Sequence, residues 1–158
     1  MKPPPRAFDQ LRAALPGLVQ VGDVWWLPQH VVRFPGGNDR YCLIVGIQQT
    51  GDDAHTARAH YVVGSTRPDR GVTTVKVAAG TYGPGRDTYF KFFWSSWVDL
   101  VTLTREGGWK GRLTPDRIAE IDKAIRASRL KVLKRMLGDW ARRSRPAPRQ
   151  APPRPHRT

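Results

Sequence analysis

Cysteine is the scarcest residue in the chain: Cys42 stands alone among 158 residues. It can form no intramolecular disulfide, so a reducing compartment, the cytoplasm, is the expected location. One Cys and four scattered His also lack the spacing of zinc or iron–sulfur ligands, and no metal or other cofactor is expected. Long apolar runs are missing as well. None approaches the ~20 residues of a membrane span, and the opening MKPPPRAF has no apolar secretory segment, so a soluble protein with no membrane association is expected. Acid is in short supply: thirteen Asp and Glu stand against twenty-seven Lys and Arg, a net charge of +14.

That charge is unevenly placed. From Lys123 to the end there are twelve basic residues and one acid, Asp139, whereas residues 1–122 hold fifteen basic and twelve acidic ones. A concentrated basic segment is the electrostatic footprint of a phosphate-backbone partner, bound salt-dependently through counterion release. A solvated tail or an anionic membrane surface are the competing readings. The length fits one domain with appendages.

Strands dominate what is present. Val21 to Leu27 reads as a first strand, and Arg40 to Gln48, RYCLIVGIQ, as a second whose consecutive apolar residues imply burial on both faces. Between them, QHVVRFPGGND (29–39) is a loop carrying His30 and Arg33. Ala57 to Ser65 reads as a third strand, ending in Gly-Ser-Thr-Arg-Pro, and Val72 to Ala78 as a fourth with period-two alternation. Tyr82-Gly-Pro-Gly then makes a turn that delivers Arg86 and Asp87 side by side. Tyr89 to Leu103 is too long and aromatic for one flat strand, so a bulge or corner is expected around Trp94–Trp97. Short strands with Gly/Pro punctuation and no intervening helix point to a small closed or nearly closed β-barrel.

Helices are expected at the ends. Phe8, Leu11 and Leu15, stopped by Pro16-Gly17, mark a short helix in an N-terminal extension (1–20). After a short strand at Trp109–Leu113, Thr114-Pro115-Asp116 gives an N-cap, an N1 proline and an acidic first turn. Ile118, Ile121 and Ile125 recur at helical spacing, while Leu130, Leu133, Leu137 and Trp140 continue in a shifted phase, which implies a bend or second helix near Ser128. The organisation expected is a barrel with terminal helix over 21–127, a basic amphipathic helix over 128–141, and a disordered Pro/Arg-rich tail over 142–158.

In chain order, Gly22-Asp23-Val24, Arg40 heading an apolar strand, a strand ending in a hydroxyl residue, Tyr82-Gly83-x-x-Arg86-Asp87-Thr88 and a terminal Gly-x-Leu-Thr helix motif resemble the MazF/PemK toxins. The resemblance spans about Val21 to Arg126. It implies an SH3-like, CcdB-type barrel, a homodimer, and a metal-independent, sequence-selective endoribonuclease that cuts single-stranded RNA and is paired with a protein antitoxin. It matches Arg40 to the family's catalytic Arg, Ser65 or Thr66 to its catalytic Thr, and Arg86 with Asp87 to an Arg-Asp pair, Asp87 accepting the hydroxyl proton. Two departures are visible: Tyr41 follows Arg40 where members usually have Pro, and the loop from Gln29 to Asp39 lacks their common Gly-x-Glu-Gln-x-Gly pattern.

The residue types suit that chemistry. Cleavage without a metal requires activation of a 2′-hydroxyl and stabilisation of a crowded anionic phosphorane, for which a guanidinium offers a fixed fork of donors. Bland roles compete at each position: Arg40 pairing with Asp39, and Ser65 and Thr66 merely shaping a turn. Candidate nucleic-acid contacts are His30, Arg33, Trp109, Lys110 and Arg112, then Lys131, Lys134, Arg135, Arg142, Arg143 and Arg145 in the basic C-terminal part. Of the six Trp, Trp109 beside Lys110 and Arg112 is the best base-stacking candidate. His60, within a strand, reads as structural. Two other functions share the scaffold: a non-catalytic RNA- or DNA-binding barrel, and a CcdB-like topoisomerase inhibitor.

Overall fold

Arg40–Gln48, with its unbroken apolar centre, is the strand on which two separate cores are built. The computed structural model describes residues 18–32, 39–49, 57–68, 71 and 73–143, and the chain divides into two units between Ser128 and Arg129. The N-terminal helix expected at Phe8–Leu15, the tail from Ser144 onward, Arg33 and Arg145 lie outside the described residues. The elements are β1 (Asp23–Leu27), β2 (Arg40–Gln48), β3 (Arg58–Ser65), β4 (Thr74–Val77), β5 (Thr88–Asp99), α1 (Leu100–Glu106), β6 (Gly108–Arg112) and α2 (Pro115–Arg143).

The six strands form one antiparallel sheet in the order β4-β5-β3-β2-β1-β6, curled into a half-barrel, so the chain is mainly β. Side chains alternate across a strand, and β2 shows the consequence. Cys42 and Ile44 join one buried cluster with Trp25, Leu27, Tyr61, Val63, Leu100 and Leu103. Leu43 and Val45 join the opposite one with Val24, Val62, Val75, Phe90, Leu113 and Ile121. Burial of β2 on both faces therefore agrees with its consecutive apolar run. Burial also pushes the Cys42 thiol far up, leaving it a small inert hydrophobe.

Two expectations are corrected in detail. Leu100–Leu103 does not continue a strand but opens α1, a short helix that the β-branched Val101, Thr102 and Thr104 do not advertise. Tertiary contacts select it. The Leu100 N–H donates to Ala57 O at 3.1 Å, Leu100 and Leu103 are both fully buried one turn apart, and the Thr104 hydroxyl donates back to Leu100 O at 2.8 Å. The irregularity expected around Trp94–Trp97 starts earlier and ends at Trp94: Val62 pairs with Ser95 and Val63 with Lys91, so Phe92, Phe93 and Trp94 bulge from the ladder with β3.

Helix α2 begins as its sequence dictates, with the Arg117 and Ile118 N–H groups donating to Thr114 O and Pro115 at the first position. A hydrogen bond from the Thr114 side chain holds the Asp116 carboxyl below its usual range. Ile121 and Ala124 bury against the β2 face carrying Leu43. The helix runs as one element to Arg143. No helix among the described residues is long and apolar enough to cross a membrane.

The sheet's two edges, β4 and β6, share no ladder, but the turn after β4 reaches the far edge. Tyr82 donates its hydroxyl proton to Arg112 O at 3.0 Å, and its ring lies over Gly111, where a Cβ would come within 2.4 Å of Tyr82 Cδ1. Arg117 of α2 also donates to the Lys76 carbonyl on β4.

Candidate active site

Three adjacent strands end together beneath that turn. Arg40 heads β2, Ser65 closes β3, and Ser65 pairs with Tyr89 near the start of β5. They converge closely because Gly64 carries no side chain: a Cβ there would lie 2.5 Å from Thr88 Cγ2 and 3.0 Å from Tyr41 O. The turn folds over this end through a hydrogen bond from Gly80 N–H to Pro84 O at 2.7 Å, with Gly83 in the left-handed region at φ +96°.

The result is a cleft of about 460 Å³ whose lining includes Asp39, Arg40, Tyr41, Ser65, Thr66 and Arg86. Four of the five residues singled out for RNA chemistry are thus brought to one opening from three separate stretches of chain. Arg40 does not pair with Asp39, whose Oδ1 accepts instead from the Gln29 N–H at 2.9 Å. Among the described residues neither Arg40 nor Arg86 has an acidic partner. Two guanidinium groups in one cleft, neither ion-paired among the described residues, favour an anion there by Coulomb attraction and by donor geometry. The two hydroxyl residues differ. Ser65 is buried and its Oγ accepts from the Arg67 N–H at 3.2 Å, shaping the strand end, whereas Thr66 is exposed in the cleft.

Asp87 does not join them. Its carboxylate is 2.7 Å from Lys76 Nζ and accepts from the Ala79 N–H at 3.0 Å, and the Lys76 bond holds it below the usual carboxylate range. It anchors the base of the turn. The carboxylate that does line the cleft is Asp39, which strand-level reading treated only as a possible partner for Arg40. Its placement follows from the register of β2 against β3, which sequence spacing does not reveal.

The other candidates scatter. His30 lies in a second cleft of about 320 Å³, its Nε2 3.5 Å from Glu106 Oε2, with Arg58, Trp97 and Arg105. There the cations are already engaged: Arg105 pairs with Glu106 at 3.0 Å, and Arg58 donates to Gln48 at 2.8 Å while covering Trp97 at 4.6 Å. His60 stacks on the same Trp97 ring at 4.6 Å, a packing role. Trp109 is 57% exposed on β6, with Lys110 exposed beside it. Arg112 binds the fully buried Asp23 carboxylate, Nε to Oδ1 at 2.6 Å, and that bond raises its already high pKa. Lys131, Lys134, Arg135 and Arg143 are exposed in the second unit, where Arg142 pairs with Asp139.

No sequence-family profile and no curated protein matches the chain. Solved structures do. The chain is similar to an endoribonuclease in complex with its cognate antitoxin from a mycobacterial species, at 19% identity and a TM-score of 0.47 over 68% of this chain and 90% of that one. It is likewise similar to MazE–MazF from Deinococcus radiodurans, at 15% identity and a TM-score of 0.45 over 68% of this chain and 90% of that one.

Proposed function

We propose that the chain is a metal-independent endoribonuclease of the toxin–antitoxin kind, acting on single-stranded RNA in the cleft under the β4–β5 turn. The observation that carries this reading is the convergence of Arg40 and Arg86, neither with an acidic partner among the described residues, with the Thr66 hydroxyl and the Asp39 carboxylate. The order of Arg40, the hydroxyl pair and Arg86 along the chain supports it, since the MazF/PemK resemblance rests on the same residues.

In this mechanism Asp39 accepts the proton of a ribose 2′-hydroxyl, the 2′-oxygen forms a bond to phosphorus, and the P–O5′ bond breaks. The departing 5′-oxygen takes a proton from solvent, leaving a 2′,3′-cyclic phosphate and a 5′-hydroxyl. Arg40 and Arg86 donate to the non-bridging oxygens as charge builds on the phosphorane, and Thr66 adds a neutral donor. Both guanidinium groups stay protonated throughout, so neither is the base. A homodimer, a protein antitoxin and a cytoplasmic setting are parts of the same proposal.

The test is incubation of a long mixed-sequence RNA with the wild type and with Arg40→Ala, Arg86→Ala and Asp39→Asn, all in EDTA, with primer-extension mapping. Discrete cuts are expected from the wild type, reduced roughly 10²–10³-fold in each Arg variant, the usual effect of removing one oxyanion donor. RNA bound by the wild type but left intact would replace this reading with a non-catalytic nucleic-acid-binding barrel.

A further inference from the structure

In the proposed cleavage one proton comes from solvent, the one taken by the departing 5′-oxygen, and the cleft holds a side chain able to supply it. Tyr41 lines the cleft with Arg40 and Arg86. It stands at the point after Arg40 where the chain departs from the MazF/PemK pattern. Its half-buried ring packs against the cluster that holds Leu43 and Val45, the next residues on the same strand face. Its hydroxyl reaches the β4–β5 turn, where a Cβ on Gly83 would lie 3.4 Å from Tyr41 Oη. Among the described residues that hydroxyl has no hydrogen-bond partner. The core thus fixes the phenol and leaves its proton available to a ligand.

Few groups at the site can give up a proton and take it back. Arg40 and Arg86 keep theirs at any working pH, and Asp39 is occupied as the base. Aliphatic hydroxyls such as that of Thr66 are as weakly acidic as the 5′-alcohol they would have to protonate. A phenol is protonated at neutral pH yet far more acidic than an alcohol, which suits it to a developing alkoxide. In-line displacement puts the attacking and leaving oxygens on opposite sides of phosphorus, so base and acid must approach from different sides. Asp39 is tied to the Gln29 N–H after β1, whereas the Tyr41 hydroxyl lies against Gly83 of the turn. Lys110 is the competing donor, since its Cδ would lie 4.0 Å from the same Cβ. It is exposed on β6, and its flexible stem fixes the ammonium far less than packing fixes the Tyr41 ring. We propose that Tyr41 is the general acid of cleavage: as the P–O5′ bond breaks, O5′ takes the phenolic proton, and the tyrosinate recovers one from water. This rests on the ribonuclease reading of the cleft.

The test compares the wild type, Tyr41→Phe, Lys110→Met and Arg40→Ala in single-turnover cleavage of two oligonucleotides that contain a mapped cut site. One is ordinary RNA. In the other the bridging 5′-oxygen of the scissile linkage is sulfur, which departs as a thiolate without needing a proton. Tyr41→Phe should cut the ordinary RNA about 10²-fold more slowly than the wild type, and the sulfur-bridged RNA within about threefold of it. Arg40→Ala should be slow on both, because either substrate passes through a charged phosphorane. Phe keeps the ring in its packing, so the melting temperature of that variant should match the wild type. An undiminished rate for Tyr41→Phe on ordinary RNA, or equal slowing on both substrates, overturns the inference. So does a sulfur-rescued defect in Lys110→Met with none in Tyr41→Phe. A wild type with no cut to map fails the ribonuclease reading itself, and the inference with it.

Discussion

Arg86 and Asp87 are adjacent in sequence and take opposite roles. Arg86 lines the cleft, while Asp87 is held by Lys76 and the Ala79 N–H at the other side of the turn. Asp87 is well exposed and its carboxyl is held below its ordinary range, chiefly by Lys76, so the stability it contributes is present above the unfolded carboxylate value near 3.9 and lost as pH falls through the lower folded value. Asp87→Asn should therefore lower the melting temperature at pH 7, the gap to wild type closing as pH falls below the ordinary carboxylate range. A gap that stayed constant with pH would assign the effect to the turn's shape and not to the charge. If Asp87 only anchors the turn, this variant should keep most of the wild-type cleavage rate at pH 7, whereas Asp39→Asn should lose it.

Arg112 carries a structural bond that its sequence neighbourhood does not announce. It closes a two-pronged bond to the fully buried Asp23, which also accepts from the Gln20 N–H at 2.8 Å. Breaking a buried pair by removing one partner leaves an uncompensated charge and costs about 3 kcal/mol. Arg112→Met should lose that much in urea denaturation, and the Asp23→Asn/Arg112→Met double variant should lose less, because Asn carries no charge and still accepts from Gln20. Equal losses in both would mean that Arg112 stabilises through its aliphatic stem and not through Asp23.

At the scale of elements, the cleft depends on a contact between two edges that do not pair. The β4–β5 turn rests on β6 through Tyr82 and Gly111, and Gly111 sits at φ +155° with no room for a methyl group. Gly111→Ala should displace the Tyr82 ring and with it Arg86, at a cost of roughly 1–3 kcal/mol for overpacking. Tyr82→Phe removes only the hydrogen bond to Arg112 O, about 1 kcal/mol, and leaves the ring in place. RNA cleavage should fall more for Gly111→Ala than for Tyr82→Phe. The reverse order would show that the hydrogen bond, not the ring, positions the turn.

Much of this architecture was legible in the sequence because local and tertiary signals agree there. The unbroken run of β2, the alternation of β4 and the Thr114-Pro115-Asp116 start of α2 each impose one conformation. Helix α1 was not legible, because Val101, Thr102 and Thr104 continue the strand-like run of β5, and the buried Leu100 and Leu103 with the bond to Ala57 O select a helix. At the site, Arg40, the Ser65-Thr66 end and Arg86 announced themselves at strand ends beside Gly and Pro. Asp39 did not, since its place in the cleft depends on cross-strand register, and Asp87 lies outside the cleft lining because adjacency to Arg86 says nothing about which way a turn residue faces.

For the whole molecule, the question is how a nearly balanced body works with a basic end. Residues 1–122 hold fifteen basic and twelve acidic residues, and the cleft residues all lie among them. Ser144–Thr158 adds Arg145, Arg149, Arg154 and Arg157 with no acid. If RNA contacts the cleft specifically and these arginines only through its phosphates, deletion of Ser144–Thr158 should weaken binding at low salt. It should also flatten the dependence of log K on log salt by at most about 3, at ~0.7 per released counterion on a single strand. At high salt the two proteins should converge, and the positions of the cuts should not change, because the groups next to the scissile phosphate are untouched. Binding isotherms across a salt series and primer-extension maps of one RNA test both halves. A moved cut site would place the basic end in substrate selection, and an unchanged salt slope would remove it from RNA binding altogether.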